Sequence, residues 1–143
     1  MRPTRGLAYA LVMGTGPSER SIRAILLVDH GSRRPEASAL LDSVAAELRQ
    51  RMPDHVVRVA HMEIVEPTVA QGIDACVEAG AREIVVHPYF LGPGNHTRES
   101  IPQLVGVAAQ RHPHLRVRIS EPLGLHSKLV DVIVERVETA SQR

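Results

Sequence analysis

Apolar residues in this chain recur with two alternating periods. Residues 24–29 (AILLVD) form a nearly unbroken apolar run, which predicts a strand buried on both faces, as in a parallel sheet. His30-Gly31-Ser32 breaks the run. From Pro35 to Met52 the apolar positions Ala37, Leu40, Leu41, Val44, Ala45 and Leu48 follow helical spacing, and Pro35 suits the first turn. Pro53-Asp54 closes that helix, and residues 56–62 (VVRVAHM) predict a second strand. Glu66-Pro67-Thr68 opens a second helix with Val69, Ala70, Ile73, Cys76 and Val77 on one face and Gly80 just past its end. Residues 83–87 (EIVVH) predict a third strand and residues 91–96 (LGPGNH) a loop. A third helix follows with Ile101, Leu104, Val105 and Ala108 inward, ended by Pro113. Residues 115–119 (LRVRI) alternate as an edge strand, and a last helix over 127–137 carries the stripe Leu129, Val130, Ile133, Val134 and Val137.

Strand and helix thus alternate four times. This predicts an α/β fold of three layers, a four-stranded parallel sheet with right-handed crossovers and helices on both faces. The unit recurs at roughly 33 residues, a period shared with helical repeat arrays, but the strand patterns exclude those. No internal linker or low-complexity segment appears, so residues 24–143 read as one domain behind an extension, 1–23. The extension starts basic and contains a short apolar run, residues 6–13 (GLAYALVM). It loosely imitates an export signal but lacks a clear small-x-small cleavage site, so a loose extension or a start at Met13 fits as well. No apolar run approaches the ~20 residues of a membrane span, and a cytoplasmic location is expected.

Composition narrows the function. The 143 residues carry a formal charge of +1, too balanced for nucleic-acid binding through a basic field. Aromatics make up 2% with no Trp, which removes base-stacking platforms. A single cysteine, Cys76, excludes an internal disulfide and any multi-thiolate metal site within one chain, and its place on a helix inner face reads as core. Eight histidines are many for this length.

In open α/β sheets ligands bind beyond the carboxyl ends of the strands, near a reversal of strand order. His30 follows the first strand, Glu63 the second, and His96 lies in the loop after the third. If those strands are neighbours, the three side chains face one cleft and form a set suited to Fe²⁺, Co²⁺, Ni²⁺ or Zn²⁺. Each residue alone has a plainer reading as a loop polar group or a cap. His87 ends a strand and reads as a buried structural histidine that can also join the site. His55, His61, His112 and His114 read as structural or solvated, and His126 is ambiguous. Other chemistries fit worse. His30-Gly31 lacks the preceding arginine of histidine phosphatases and has Asp29 there, which repels phosphate. Ser32 lies outside any G-x-S-x-G turn, and Gly92-Pro93-Gly94 is neither a phosphate loop nor a dinucleotide fingerprint.

Three segments together carry a specific resemblance: LLVDHGSR (26–33), HMEIVEPTV (61–69) and VVHPYFLGPGNHTRESIP (85–102). In order and spacing they are similar to the class II chelatases, in particular the small sirohydrochlorin chelatases, over nearly the whole chain except the N-terminal extension. The resemblance implies a lyase that inserts Co²⁺ or Fe²⁺, in some lineages Ni²⁺, into sirohydrochlorin for cobalamin or sirohaem synthesis. It implies that His30 and His96 bind the metal, that Glu63 is the active-site carboxylate, and that the metal is a substrate rather than a permanent cofactor. The family loop usually has Asp where this chain has Ser100, a departure at a helix start. Ser32, Arg33, Arg34, Gly92, Gly94, Thr97 and Arg98 surround the expected site and are candidates for holding a carboxylate-rich tetrapyrrole, the arginines bidentately and the glycines by close backbone approach. Solvated arginines and ordinary turn glycines are the plain alternatives. Longer relatives have two similar lobes, so a one-lobe chain implies a homodimer around the ring, with no nucleic-acid or membrane partner. The alternative to a chelatase, from a different class, is a metal or tetrapyrrole carrier without turnover.

Overall fold

The computed structural model describes residues 21–94 and 96–143; the side chains of His96 and Thr97, and residues 1–20 of the expected extension, lie outside the described part. Four strands, β1 (Ile22–Asp29), β2 (His55–His61), β3 (Ala81–Pro88) and β4 (Arg116–Ile119), form one parallel sheet in the order β2-β1-β3-β4. The helices are α1 (Pro35–Arg51), α2 (Val69–Glu78), α3 (Ile101–Ala109) and α4 (Ser127–Ser141). The four-stranded parallel α/β fold is therefore as the sequence predicts. β1 begins two residues early, so Ile22 and Arg23 belong to the sheet rather than to an extension.

Position in the sheet explains each strand's composition. β1 is central, and Ala24 through Val28 are all buried, as an unbroken apolar run requires. The two sides of the sheet hold separate cores. On one side Leu26, Val28, Ile84 and Val86 pack with Ile73, Cys76, Ile101 and Val105 of α2 and α3. On the other, Ile25, Leu27 and Val57 pack with Leu41 and Ala45 of α1 alone. Connections that reverse direction between β1→β2 and β2→β3 put the helices on opposite sides and place the reversal at the carboxyl ends of β1 and β3.

The helix boundaries have local causes. Thr68 and Gln71 form a reciprocal capping box at the start of α2, and Gly80 takes φ +95° just beyond its end. Gly72 lies so close to Leu26 and Ala60 that a Cβ there would stand 2.7 Å from Leu26, which lets α2 sit tightly on the sheet. Three expectations need correction. Leu40 is 58% exposed, because among the described residues α1 covers its side of the sheet alone and its flank meets no neighbour. His96 opens a π-helical turn, His96–Ser100, that runs straight into α3, instead of lying in a loop. The last helix extends to Ser141 and buries none of its residues, so its apolar stripe faces solvent.

Candidate functional site

The site grows out of the sheet's own hydrogen bonding. Beyond the end of β1 the parallel pairing with β2 continues: Met62 N donates to Asp29 O at 2.9 Å and Glu63 N to His30 O at 3.2 Å. The two segments leaving β1 and β2 therefore remain in register, and their side chains meet. His30 Nε2 lies 3.2 Å from Glu63 Oε1. Their side chains are 44% and 60% exposed, so the pair is open to a ligand.

Two backbone features hold this geometry. Gly31 has φ +96°, and a Cβ on it would fall 2.0 Å from the Glu63 carbonyl oxygen. Only glycine fits there. Ile64, next to Glu63, has φ +76° and is 55% exposed. A β-branched residue in the left-handed region is strained, and such strain collects at functional sites. Sequence reading missed Ile64, and nothing in its residue type could have signalled it.

Beneath the pair, His61 at the end of β2 is buried and its Nδ1 lies 2.5 Å from Asp29 Oδ1. The charge next to His30 is thus tied down by a structural histidine. His87 is partly buried on β3, with Nδ1 2.7 Å from Ser120 Oγ, and burial holds its pKa below the ordinary value. His112 pairs with Asp74 at the opposite edge of the sheet, and His126 caps α4 by accepting from Lys128 N. These four are structural. Cys76 is fully buried, and burial pushes its thiol up to about 11, which leaves it a core residue.

The expected third member, His96, sits at the start of the π-helical turn after β3. Its imidazole lies outside the described residues, as does the Thr97 hydroxyl. Among the described residues no three metal-binding side chains come together. Ser32 Oγ accepts from Arg34 N at 3.1 Å and shapes the turn into α1, while Arg33 and Arg34 are exposed beside it. Arg98 lines a different hollow of about 380 Å³, with Pro88, Pro93 and Glu121, beyond β3 and β4. Gly92 and Gly94 have no positive φ, and a Cβ on either would meet nothing within 4 Å. Turn geometry therefore does not demand glycine at those two positions. Glu63 also borders a groove of about 700 Å³ between α2 and α3, floored by Met62, Val69 and Ala108 and flanked by Leu104 and Val107. Its volume is in the range of small-molecule sites. Leu104, assigned to the core by its spacing, faces this groove at 38% exposure.

Comparison with known proteins gives a consistent picture. A family model described as CbiX matches residues 24–140. A relative from Arabidopsis thaliana, sirohydrochlorin ferrochelatase, chloroplastic, is 38% identical over 114 residues, covering 80% of this chain and 51% of its own. The sirohydrochlorin cobaltochelatase of Methanocaldococcus jannaschii is 31% identical, covering 80% of this chain and 97% of its own. The crystal structure of the sirohydrochlorin chelatase SirB from Bacillus subtilis subspecies spizizenii, in complex with cobalt, superposes with a TM-score of 0.78 at 30% identity. It covers 82% of this chain and 50% of that one. The chain thus spans about half the length of the Arabidopsis and Bacillus proteins and nearly all of the Methanocaldococcus one.

Proposed function

This chain belongs to the CbiX family, and on that premise we propose that it inserts a divalent metal, cobalt or iron, into sirohydrochlorin. The observation that carries the reading is the His30–Glu63 pair at 3.2 Å, held open at the carboxyl edge of the sheet by a glycine no other residue can replace. The metal is a substrate, and the protein needs no resident cofactor for the reaction.

The chemistry asks for two things. The hydrated ion must exchange its ligands, and two pyrrolic N–H protons must leave the ring as the ion enters. Neutral imidazoles bind borderline divalent ions without trapping them as thiolates would. His30 and His96 present the metal. As the ion passes to the ring, the two imidazoles it leaves each accept one of the two pyrrolic protons, and Glu63 orients His30 and balances the charge. Arg33 and Arg34 beside the pair, and Arg98 from the hollow beyond β3 and β4, hold carboxylates at different points of the ring, with Ser32 and Thr97 as further polar contacts. Gly92 and Gly94, which the fold does not require to be glycine, let the backbone approach the flat ring. Two copies of the chain enclose the ring. The reading includes a cytoplasmic location.

The test is an anaerobic absorbance assay with purified protein, sirohydrochlorin and Co²⁺ or Fe²⁺. Turnover well above the protein-free rate is expected, with most of it lost in His96→Ala while the far-UV circular dichroism stays unchanged. A rate equal to the protein-free control points instead to a carrier. Running Ni²⁺ in competition assigns the preferred metal.

A further inference from the structure

Asp29 and His61 are register partners at the carboxyl ends of β1 and β2, with His61 Nδ1 2.5 Å from Asp29 Oδ1. The imidazole is 4% exposed, so it reaches no ligand. Among the described residues His61 is the only buried polar or charged one. Stability does not account for it. Taking a carboxylate and an imidazole out of water costs more than burying apolar side chains of the same size, and apolar replacement of such pairs is often neutral or stabilising. What a short hydrogen bond supplies, and apolar packing does not, is direction.

That direction is delivered to the loop that carries Glu63. The loop leaves β2 at His61 and returns to it: His61 N donates to Pro67 O at 2.8 Å, which pairs His61 with Thr68, the N-cap of α2. Asp29 grips the departing strand twice. Its carbonyl accepts from Met62 N at 2.9 Å, and its carboxylate holds the His61 ring. The root of that ring also supports the turn after His30, since a Cβ on Gly31 would stand 3.4 Å from His61 Cβ. Within the loop Val65 N donates to Glu63 O at 2.9 Å. A slip of His61 therefore moves both segments whose side chains meet 3.2 Å apart at His30 and Glu63.

We propose that Asp29 and His61 are positioning residues: their hydrogen bond locks the base of the Glu63 loop against β1 and so holds Glu63 at its working distance from His30. The use of that geometry rests on the chelatase reading above. The lock itself is read by amide exchange, which needs no turnover, so the two can fail separately.

Three variants of the full chain test it. His61→Phe keeps a ring of similar size without the hydrogen bond, Asp29→Ala removes the acceptor, and His61→Asn keeps an N–H near the Nδ1 position. In His61→Phe and Asp29→Ala the Glu63 amide is expected to exchange about tenfold faster relative to the Leu26 amide of the same chain, a ratio that cancels any loss of global stability. In both, kcat for metal insertion is expected to fall about tenfold while KM for sirohydrochlorin stays within about twofold. His61→Asn is expected to recover most of both losses. Glu63 exchange that keeps pace with Leu26 in either variant overturns the lock; Asp29→Ala carries this reading if His61→Phe does not fold. Loosened exchange with wild-type kcat overturns the positioning role. Equal impairment in His61→Asn and His61→Phe overturns the assignment to the hydrogen bond. A wild type without turnover overturns the chelatase reading and the positioning role with it, and the exchange ratio still decides the lock.

Discussion

Gly31 and Ile64 flank the His30–Glu63 pair in the same left-handed backbone region, yet only one of them has a glycine's freedom. They should respond in opposite directions. Gly31→Ala drives a methyl group into the Glu63 carbonyl and is expected to destabilise the protein by more than about 2 kcal/mol, read from urea unfolding. Ile64→Gly removes left-handed strain while surrendering little buried surface, and a gain of about 1 kcal/mol is expected in the same measurement. An Ile64→Gly variant no more stable than the wild type would show that the backbone there is unstrained. The chemical types at the site, an imidazole and a carboxylate at successive strand ends, were readable from the sequence. Their backbone settings were not. Gly31 looked like a simple break after a strand, and a β-branched residue gives no sign that it will adopt a positive φ.

At the level of elements, periodicity identified all four strands and helices because each apolar face repeats at the right spacing. What it could not say is what that face meets. The stripes of α2 and α4 look alike in sequence, but Ile73 and Cys76 are buried while Ile133 and Val137 are open. Leu40 and Leu104 fail for the same reason, each lying at the flank of a helix where the neighbouring layer ends. The start of α2 offers a test of local specification. Thr68 Oγ1 accepts from Gln71 N, and the Gln71 side chain accepts from Thr68 N at 2.8 Å. Thr68→Ala removes half of that exchange and is expected to cost about 1 kcal/mol, seen as a lower thermal midpoint with the sheet's circular dichroism intact. No shift would mean that packing of Val69 and Ile73 alone fixes the helix start.

Across the whole molecule, strand order decides what the chain's chemistry can do. The site required the first three strands to be neighbours, and the order β2-β1-β3-β4 supplies this by placing β1 between the other two. The same order puts His87 on β3 in a groove on the side of the sheet that α1 covers, lined also by Ile25, Leu27 and Leu48. Burial lowers its pKa from the ordinary 6.5, so the folded protein takes up this proton less readily than the unfolded chain. In the unfolded chain it takes a proton once the pH falls through 6.5, and the unfolded state then binds more protons than the folded one. Its contribution to stability is therefore complete above that pH and declines as the solution is acidified toward the depressed value. Urea unfolding from pH 8 to pH 5 should show this decline, and His87→Gln should flatten it. An unchanged slope in the variant would assign the acid sensitivity to other groups.

The continued pairing of the segments that leave β1 and β2 has a consequence for how the protein fails when heated. The amides of Met62 and Glu63 are bonded to carbonyls at the end of the central strand, so exchanging them for deuterium requires the sheet itself to open. The His30–Glu63 edge is thus tied to the middle of the domain, and its amides should exchange only as the sheet melts, with no earlier loosening of that edge alone.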